Sequence, residues 1–278
     1  MIDGMISIGR FRTLVWGYYR AHGRDLAWRR TKNPYRILVS EIMLQQTQVS
    51  RVAPFYEKFI KQFPTFRALA EARTADVLHA WQGLGYNRRA LALQKIAAMV
   101  VRDHNGKLPN DRGVLEALPG IGRGTSGSLL AFIFNEPVVF IETNIRRAFI
   151  YHFFPNRENV SDAELEPLIE KALDRRRPRE WYYALMDYGA MLGEKSRARS
   201  GSNPNARSRH YARQSKFAGS DRELRGRLLR LFLKEKKIAA ASLPRKLAEP
   251  SARVTRVANG LARDGFLERK GKWLAISG

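Results

Sequence analysis

The chain of 278 residues has no cysteine, which excludes disulfides, thiolate zinc sites and thiolate-held iron–sulfur clusters. Long apolar runs are also missing. None approaches the roughly 18 residues that cross a bilayer, so no membrane partner is expected. The stretch from Met1 to Arg29 lacks a basic–apolar–small signal layout, and a cytoplasmic, nucleoid-associated protein is expected. Prolines number only 12, while hydrophobic residues make up 44%. That balance argues against a largely disordered chain and supplies enough apolar residues to fill real cores. Acidic residues are scarce as well: 26 Asp and Glu stand against 50 Lys and Arg, leaving 50 − 26 = +24.

The positive excess is uneven. Residues 193–278 carry 22 basic and 7 acidic side chains, or +15, and residues 1–192 carry 28 and 19, or +9. A surface of this sign and size suits a polyanion, above all nucleic acid. A generally basic, solvated surface would look the same by charge alone.

From Phe11 to Leu192 apolar residues recur at three- and four-residue spacing, as in Val77, Leu78 and Trp81 or Leu129, Leu130, Ile133 and Phe134. Short breaks at Asn33-Pro34, Phe63-Pro64-Thr65, Gly83-Leu84-Gly85, Asn105-Gly106 and Pro119-Gly120 separate these stretches. Many helices with short turns and no alternating strands predict an all-α body. Residues 193–220 then read as an irregular basic loop or linker. From Asp221 a helix carries Leu224, Leu228, Leu229 and Phe232, a second begins near Ser242, and a third spans Ser251–Arg263. A hairpin follows over Phe266–Ile276. Three helices and a two-stranded wing give a winged-helix order over 221–278, with Arg253 and Arg256 of the third helix expected on DNA phosphate. A small helical cap that dimerises is the alternative; a monomer is expected.

Three stretches carry chemistry. Leu118-Pro119-Gly120-Ile121-Gly122 lies between apolar helices. Its two glycines allow a tight turn that leaves backbone N–H groups uncovered beside a helix start, suited to a phosphate oxygen. In Ser40-Glu41-Ile42-Met43-Leu44-Gln45-Gln46-Thr47-Gln48 a carboxylate sits among apolar neighbours. Burial there would raise its pKa until it could donate a proton near neutrality. Solvent exposure or an arginine partner would remove that effect. In Phe140-Ile141-Glu142-Thr143-Asn144-Ile145-Arg146-Arg147 the glutamate reads equally as a helix N-terminal charge.

With Trp28-Arg29, Trp81–Ala90 and Met186–Met191, these stretches resemble, in content and order, the helix-hairpin-helix DNA glycosylase superfamily, most closely its MutY-type adenine glycosylase branch. The resemblance runs from about Trp28 to Leu192. It implies a core of two helical lobes over 1–192 and monofunctional excision of a mispaired, damaged or modified base from duplex DNA, in the first place adenine in a mismatch. Other outcomes in view are removal of uracil or thymine opposite guanine, removal of a modified base from foreign DNA, and a catalytically silent DNA-binding protein.

The resemblance also assigns residues. Glu41 matches the general acid, Glu142 the carboxylate (aspartate in the family) that offsets positive charge on the sugar, and Asn144 its polar neighbour. Gln46 resembles the side chain that fills the gap left by the flipped base. Arg29 and Leu44 resemble pocket wall, and Gln45 offers a further base-edge amide. Tyr86 and Asn87 occupy the loop facing the opposite strand, where adenine glycosylases usually have two tyrosines. Gly120, Gly122, Arg123 and Thr125 would hold phosphate. Gly124 stands where lyase members carry a lysine, so no Schiff base and no strand cleavage are expected. The family's cluster ligands would fall at Gly193, Ser200, Asn203 and Arg209, which predicts no metal and no cofactor. Arg197, Arg199, Arg207 and Arg209 of that loop would then contact phosphate directly.

Overall fold

The computed structural model describes residues 6–198, 203–212 and 215–277, with the side chains of Arg197 and Ala198 left aside. Residues Met1–Glu41 and Pro109–Arg213 form one compact unit, and Ile42–Leu108 and Gln214–Gly278 form a second.

In the first unit helix α1 (Ile8–His22) starts at Ser7, whose side chain accepts from the Arg10 N–H. A 3₁₀ turn (Ala27–Arg29) leads to α2 (Pro34–Leu44). Helices α7 (Arg112–Ala117) and α8 (Arg123–Leu129) flank the glycine hairpin, and a π turn (Leu130–Phe134) extends α8. Next come α9 (Thr143–Phe153), α10 (Asp162–Ala172) and α11 (Pro178–Ala198). Ser161 and Glu164 form a capping box at the start of α10, which fixes that boundary by satisfying two otherwise orphaned N–H groups.

The core of this unit centres on Phe11, fully buried. Its ring meets Phe149, Phe153 and Trp181 with centroids 4.9, 5.2 and 6.4 Å away. Buried side chains of this size are worth about 1.5–3 kcal/mol each, so α1, α9 and α11 are tied together chiefly here. Close approach of α9 and α11 requires Gly189: a Cβ there would lie 2.1 Å from the Asn144 carbonyl oxygen.

The second unit holds α3 (Val49–Gln62), α4 (Phe66–Ala70), α5 (Thr74–Ala80) and α6 (Arg88–Asp103). Val52, Tyr56, Phe59 and Ile60 make one buried stripe on α3, the spacing that places residues on a single helical face. The same unit contains α12 (Asp221–Glu235), α13 (Leu243–Leu247) and α14 (Ser251–Arg263). Strands β1 (Lys237–Ala239), β2 (Leu267–Lys270) and β3 (Trp273–Ile276) form an antiparallel sheet in the order β1-β3-β2.

One feature differs from the sequence reading: the sheet has a third strand, β1, too short at three residues to show an alternating pattern. The C-terminal elements fall in one compact unit with residues 42–108. Polar bonds link the two segments. Asp264, after α14, accepts from Arg88 of α6 at 2.8 and 2.9 Å and from Arg225 of α12 at 2.5 Å. Arg222 donates to the Tyr86 hydroxyl at 2.9 Å.

Candidate active site

Glu41 stands in the last turns of α2, beside Ser40 and Ile42, which are 0% and 1% exposed. From α8, the Ser128 hydroxyl donates to Glu41 Oε2 at 2.6 Å. Burial pushes the Glu41 carboxyl up to about 7; the bond from Ser128 and the charge of Arg29 oppose the rise, and the charge of Glu142 adds to it. Desolvation of the charged form therefore wins over the local donors. The result is a carboxyl group that carries a proton for much of the time at neutral pH.

Glu142 caps α9. Its Oε1 accepts from the N–H groups of Asn144 and Ile145 at 2.8 and 2.9 Å, and Asn144 Nδ2 donates to Oε2 at 3.3 Å. Burial pushes this carboxyl up too, but two backbone N–H bonds and the guanidinium groups of Arg147 and Arg146 pull the other way. The helix-start reading and the resemblance thus converge on one side chain: the N–H groups that cap the helix also favour the ionised form. Asn144 is itself oriented, because its Oδ1 accepts from Arg147 at 2.7 Å.

Arg29 grips Asp187 through two bonds of 2.8 Å and lies over the Tyr183 ring at 4.6 Å. Burial would push the Asp187 carboxyl up, yet Arg29 and Arg24 outweigh it and hold it below the ordinary value. Tyr183 is held far above its ordinary value by burial and by Glu41. Glu41, Glu142, Asn144, Arg29 and the hairpin all belong to the first unit.

In the hairpin, Gly120 has φ +80°, a conformation costly for any residue with a side chain. Gly122 is the extended cap residue of α8, exposed beside exposed Arg123. Thr125 is half-buried. At Gly124 a Cβ would come within 3.3 Å of the Ile141 carbonyl.

The second unit holds Leu44, Gln45, Gln46, Tyr86 and Asn87. Gln46 is exposed with φ +54°, and Tyr86 is exposed with φ +47°. Leu44, Gln45 and Asn87 are half-buried. Arg89, only 8% exposed, organises both loops. It donates to the carbonyls of Ile42, Met43 and Gln45 and to the Thr47 hydroxyl, and on the other side to the Gly85 carbonyl.

Residues 39–175 match the HhH-GPD superfamily of base excision DNA repair proteins. The adenine DNA glycosylase of Mycobacterium tuberculosis (strain ATCC 25618 / H37Rv) is 35% identical over 244 residues, covering 82% of this chain and 79% of that protein. The chain belongs to the HhH-GPD superfamily, in its adenine glycosylase branch. The adenine DNA glycosylase of Buchnera aphidicola subsp. Baizongia pistaciae is 36% identical over 196 residues, 69% of this chain and 55% of that protein. The chain thus spans about half the length of this relative and about four-fifths of the mycobacterial one. A thermostable thymine-DNA glycosylase superimposes with a TM-score of 0.60 at 24% identity, over 66% of this chain and 87% of that one. Endonuclease III trapped covalently on DNA gives 0.56 at 20%, over 69% and 88%. At these identities the likeness is one of fold.

An iron–sulfur cluster of the HhH-GPD type does not fit this chain. The expected ligand positions hold Gly193, Ser200, Asn203 and Arg209, and glycine, serine, asparagine and arginine offer no thiolate. Ser200, Arg199 and the Arg197 side chain lie outside the described residues. Arg209 is exposed. Arg207, expected on phosphate, is turned inward and donates to the carbonyls of Ile150, Phe154 and Pro155. Arg253 is likewise engaged by Asp221, Glu249 and the Gly219 carbonyl, and Arg256 by Asp221. These arginines hold the start of α12 to α14.

Sequence reasoning missed Ser128, Arg89 and Arg147 as site residues. Ser128 and Arg89 act on groups 40 or more positions away, and Arg147, though three residues from Asn144, is fixed by the distant Gly189 carbonyl and Asn203. Asp187 stood in a quoted stretch, but its pairing with Arg29 shows only in three dimensions.

Proposed function

We propose that the chain is a monofunctional adenine DNA glycosylase acting on mismatched duplex DNA. The observation that carries this reading is the contrast between two electrostatically coupled carboxyl groups, Glu41 and Glu142. Burial raises both carboxyl groups, Glu41 to about 7. They differ in their donors: Glu41 has the single Ser128 hydroxyl, whereas Glu142 has two backbone N–H groups and the Asn144 amide, which favour its anion. Unequal surroundings of this kind suit divided acid and charge-stabilising roles.

The adenine is first rotated out of the stack, at a cost of a few kcal/mol, with Gln46 entering the gap. Glu41 then gives its proton to a ring nitrogen of the leaving purine. As the C–N bond breaks, electrons leave with the base and positive charge grows on the sugar. The Glu142 carboxylate, held by Asn144, offsets that charge. Water adds to the sugar carbon and leaves an abasic site. The hairpin Gly120–Gly122, with Arg123 and Thr125, grips phosphate without reading sequence. Gly124 offers no amine, so the strand stays intact.

Single-turnover assays on duplexes with adenine opposite 8-oxoguanine or guanine, developed with hot alkali, test this reading. Alkali-dependent cleavage at adenine is expected. Excision only of uracil or thymine opposite guanine would overturn the substrate, and borohydride trapping of a covalent adduct would overturn the monofunctional chemistry.

A further inference from the structure

The segment Asn203–Ser208 stands where a cluster loop would lie, and it contains no metal ligand of the expected kind. Its polar groups go to the two ends of α9. At the N-terminal end Asn203 Oδ1 accepts from Arg147 Nε at 3.2 Å, and Asn205 Nδ2 donates to the Thr143 carbonyl at 2.9 Å. At the C-terminal end Arg207 donates to the carbonyls of Ile150 (3.4 Å), Phe154 (2.6 Å) and Pro155. The carbonyls of Ile150 and Phe154 also accept from the N–H groups of Phe154 and Arg157, and a cation at this helix end suits the helix dipole.

The segment is itself well fixed. Asn203 Oδ1 also accepts from the Asn205 N–H at 3.2 Å. Val160 and the segment exchange backbone bonds, Val160 N to Arg207 O and Arg209 N to Val160 O, both 2.9 Å. Asn205 and Ser208 are 4% and 6% exposed, so this is an ordered brace rather than a solvated loop.

A chain of contacts runs from the brace to the capping carboxylate. Asn203 holds Arg147; Arg147 donates to Asn144 Oδ1 and to the Gly189 carbonyl at 2.7 and 2.8 Å; Asn144 then meets both oxygens of Glu142. We infer that Asn203 is a positioning residue for the Glu142 carboxylate, and that Asn203–Ser208 is a metal-free clamp on α9 rather than a phosphate-binding loop. This rests on the role proposed above for Glu142.

Asn203 is half-buried, so its substitution leaves the core untouched. Asn203→Ala removes the acceptor for Arg147, whereas Asn203→Asp keeps an acceptor oxygen in the same place. The expected result for Asn203→Ala is a single-turnover adenine excision rate about tenfold lower, since small misplacements of catalytic groups are costly. Duplex affinity and its salt slope stay unchanged, and Asn203→Asp restores the rate. A second measurement follows amide hydrogen exchange of Asn144 and Ile145. Exchange there should accelerate in Asn203→Ala while the amides of α1 keep their protection.

An unchanged rate in Asn203→Ala, an equal loss in both variants, or a loss expressed as weaker affinity with a smaller salt slope would overturn the inference. Faster exchange throughout the chain would do the same, because it signals general destabilisation. Failure of the wild-type chain to excise adenine would refute the function instead, leaving the exchange measurement to decide the clamp.

Discussion

The Ser128 hydroxyl donates to Glu41 Oε2 at 2.6 Å, and this bond restrains the rise that burial imposes on the carboxyl. Ser128→Ala removes a donor that favours the anion, so the group should hold its proton to higher pH. The high-pH limb of the excision rate profile is expected to move upward in pH. A limb that stays in place would show that the bond has no electrostatic role.

The wild-type pH profile has a defined shape. A general acid must be protonated, so the rate should fall as pH rises through about 7, where Glu41 loses its proton. Glu142 must be ionised, and burial holds its carboxyl above the ordinary value. The low-pH limb should therefore lie above the usual carboxylate range. A single-turnover profile from pH 4 to 9 checks both limbs.

Stability should carry the same signature. The folded state keeps a proton on Glu41 up to about 7, whereas an ordinary glutamate loses it near 4.5. Across that window folding takes up a proton, so stability is fully present below it and is lost as pH rises through it, by a total of about 3 kcal/mol. Glu41→Gln has no such term. Its melting temperature should match the wild type near pH 4 and exceed it at pH 8.

Gly189→Ala tests how tightly α9 and α11 must approach. The added Cβ would lie 2.1 Å from the Asn144 carbonyl oxygen and 2.8 Å from its Cβ. Backbone must move, and Asn144 and Glu142 move with it. Overpacking of this kind costs about 1–3 kcal/mol, and a displacement near 1 Å costs about a hundredfold in rate. Thermal melting and single-turnover excision should both register the change.

Arg89→Lys replaces a planar fork with a point charge. One ammonium group cannot serve the carbonyls of Ile42, Met43 and Gln45 together with Thr47 and Gly85. Each buried acceptor left unpaired costs about 1–3 kcal/mol. A lower melting temperature and faster amide exchange over Gln45–Thr47 are expected.

The helical body, the hairpin and helix α14 were legible because each has a local signature: apolar spacing, a glycine pair, or a break at proline or glycine. Glu41 and Glu142 were legible through their neighbours, an apolar helix and a helix start. The roles of the arginines were not. Arg207 carries a charge that the sequence assigns to phosphate, yet it donates to the carbonyls of Ile150, Phe154 and Pro155, and which carbonyls the fold brings to a guanidinium has no local signal. The same limit hid the contact of Asp264 with Arg88 across 176 positions.

The most direct test is Glu41→Gln in a single-turnover adenine excision assay with duplex affinity measured in parallel. Loss of the proton donor should lower the rate by about a hundredfold or more and leave affinity unchanged. A variant that excises adenine at the wild-type rate would contradict the acid role of Glu41, and with it the division of labour between the two carboxyl groups.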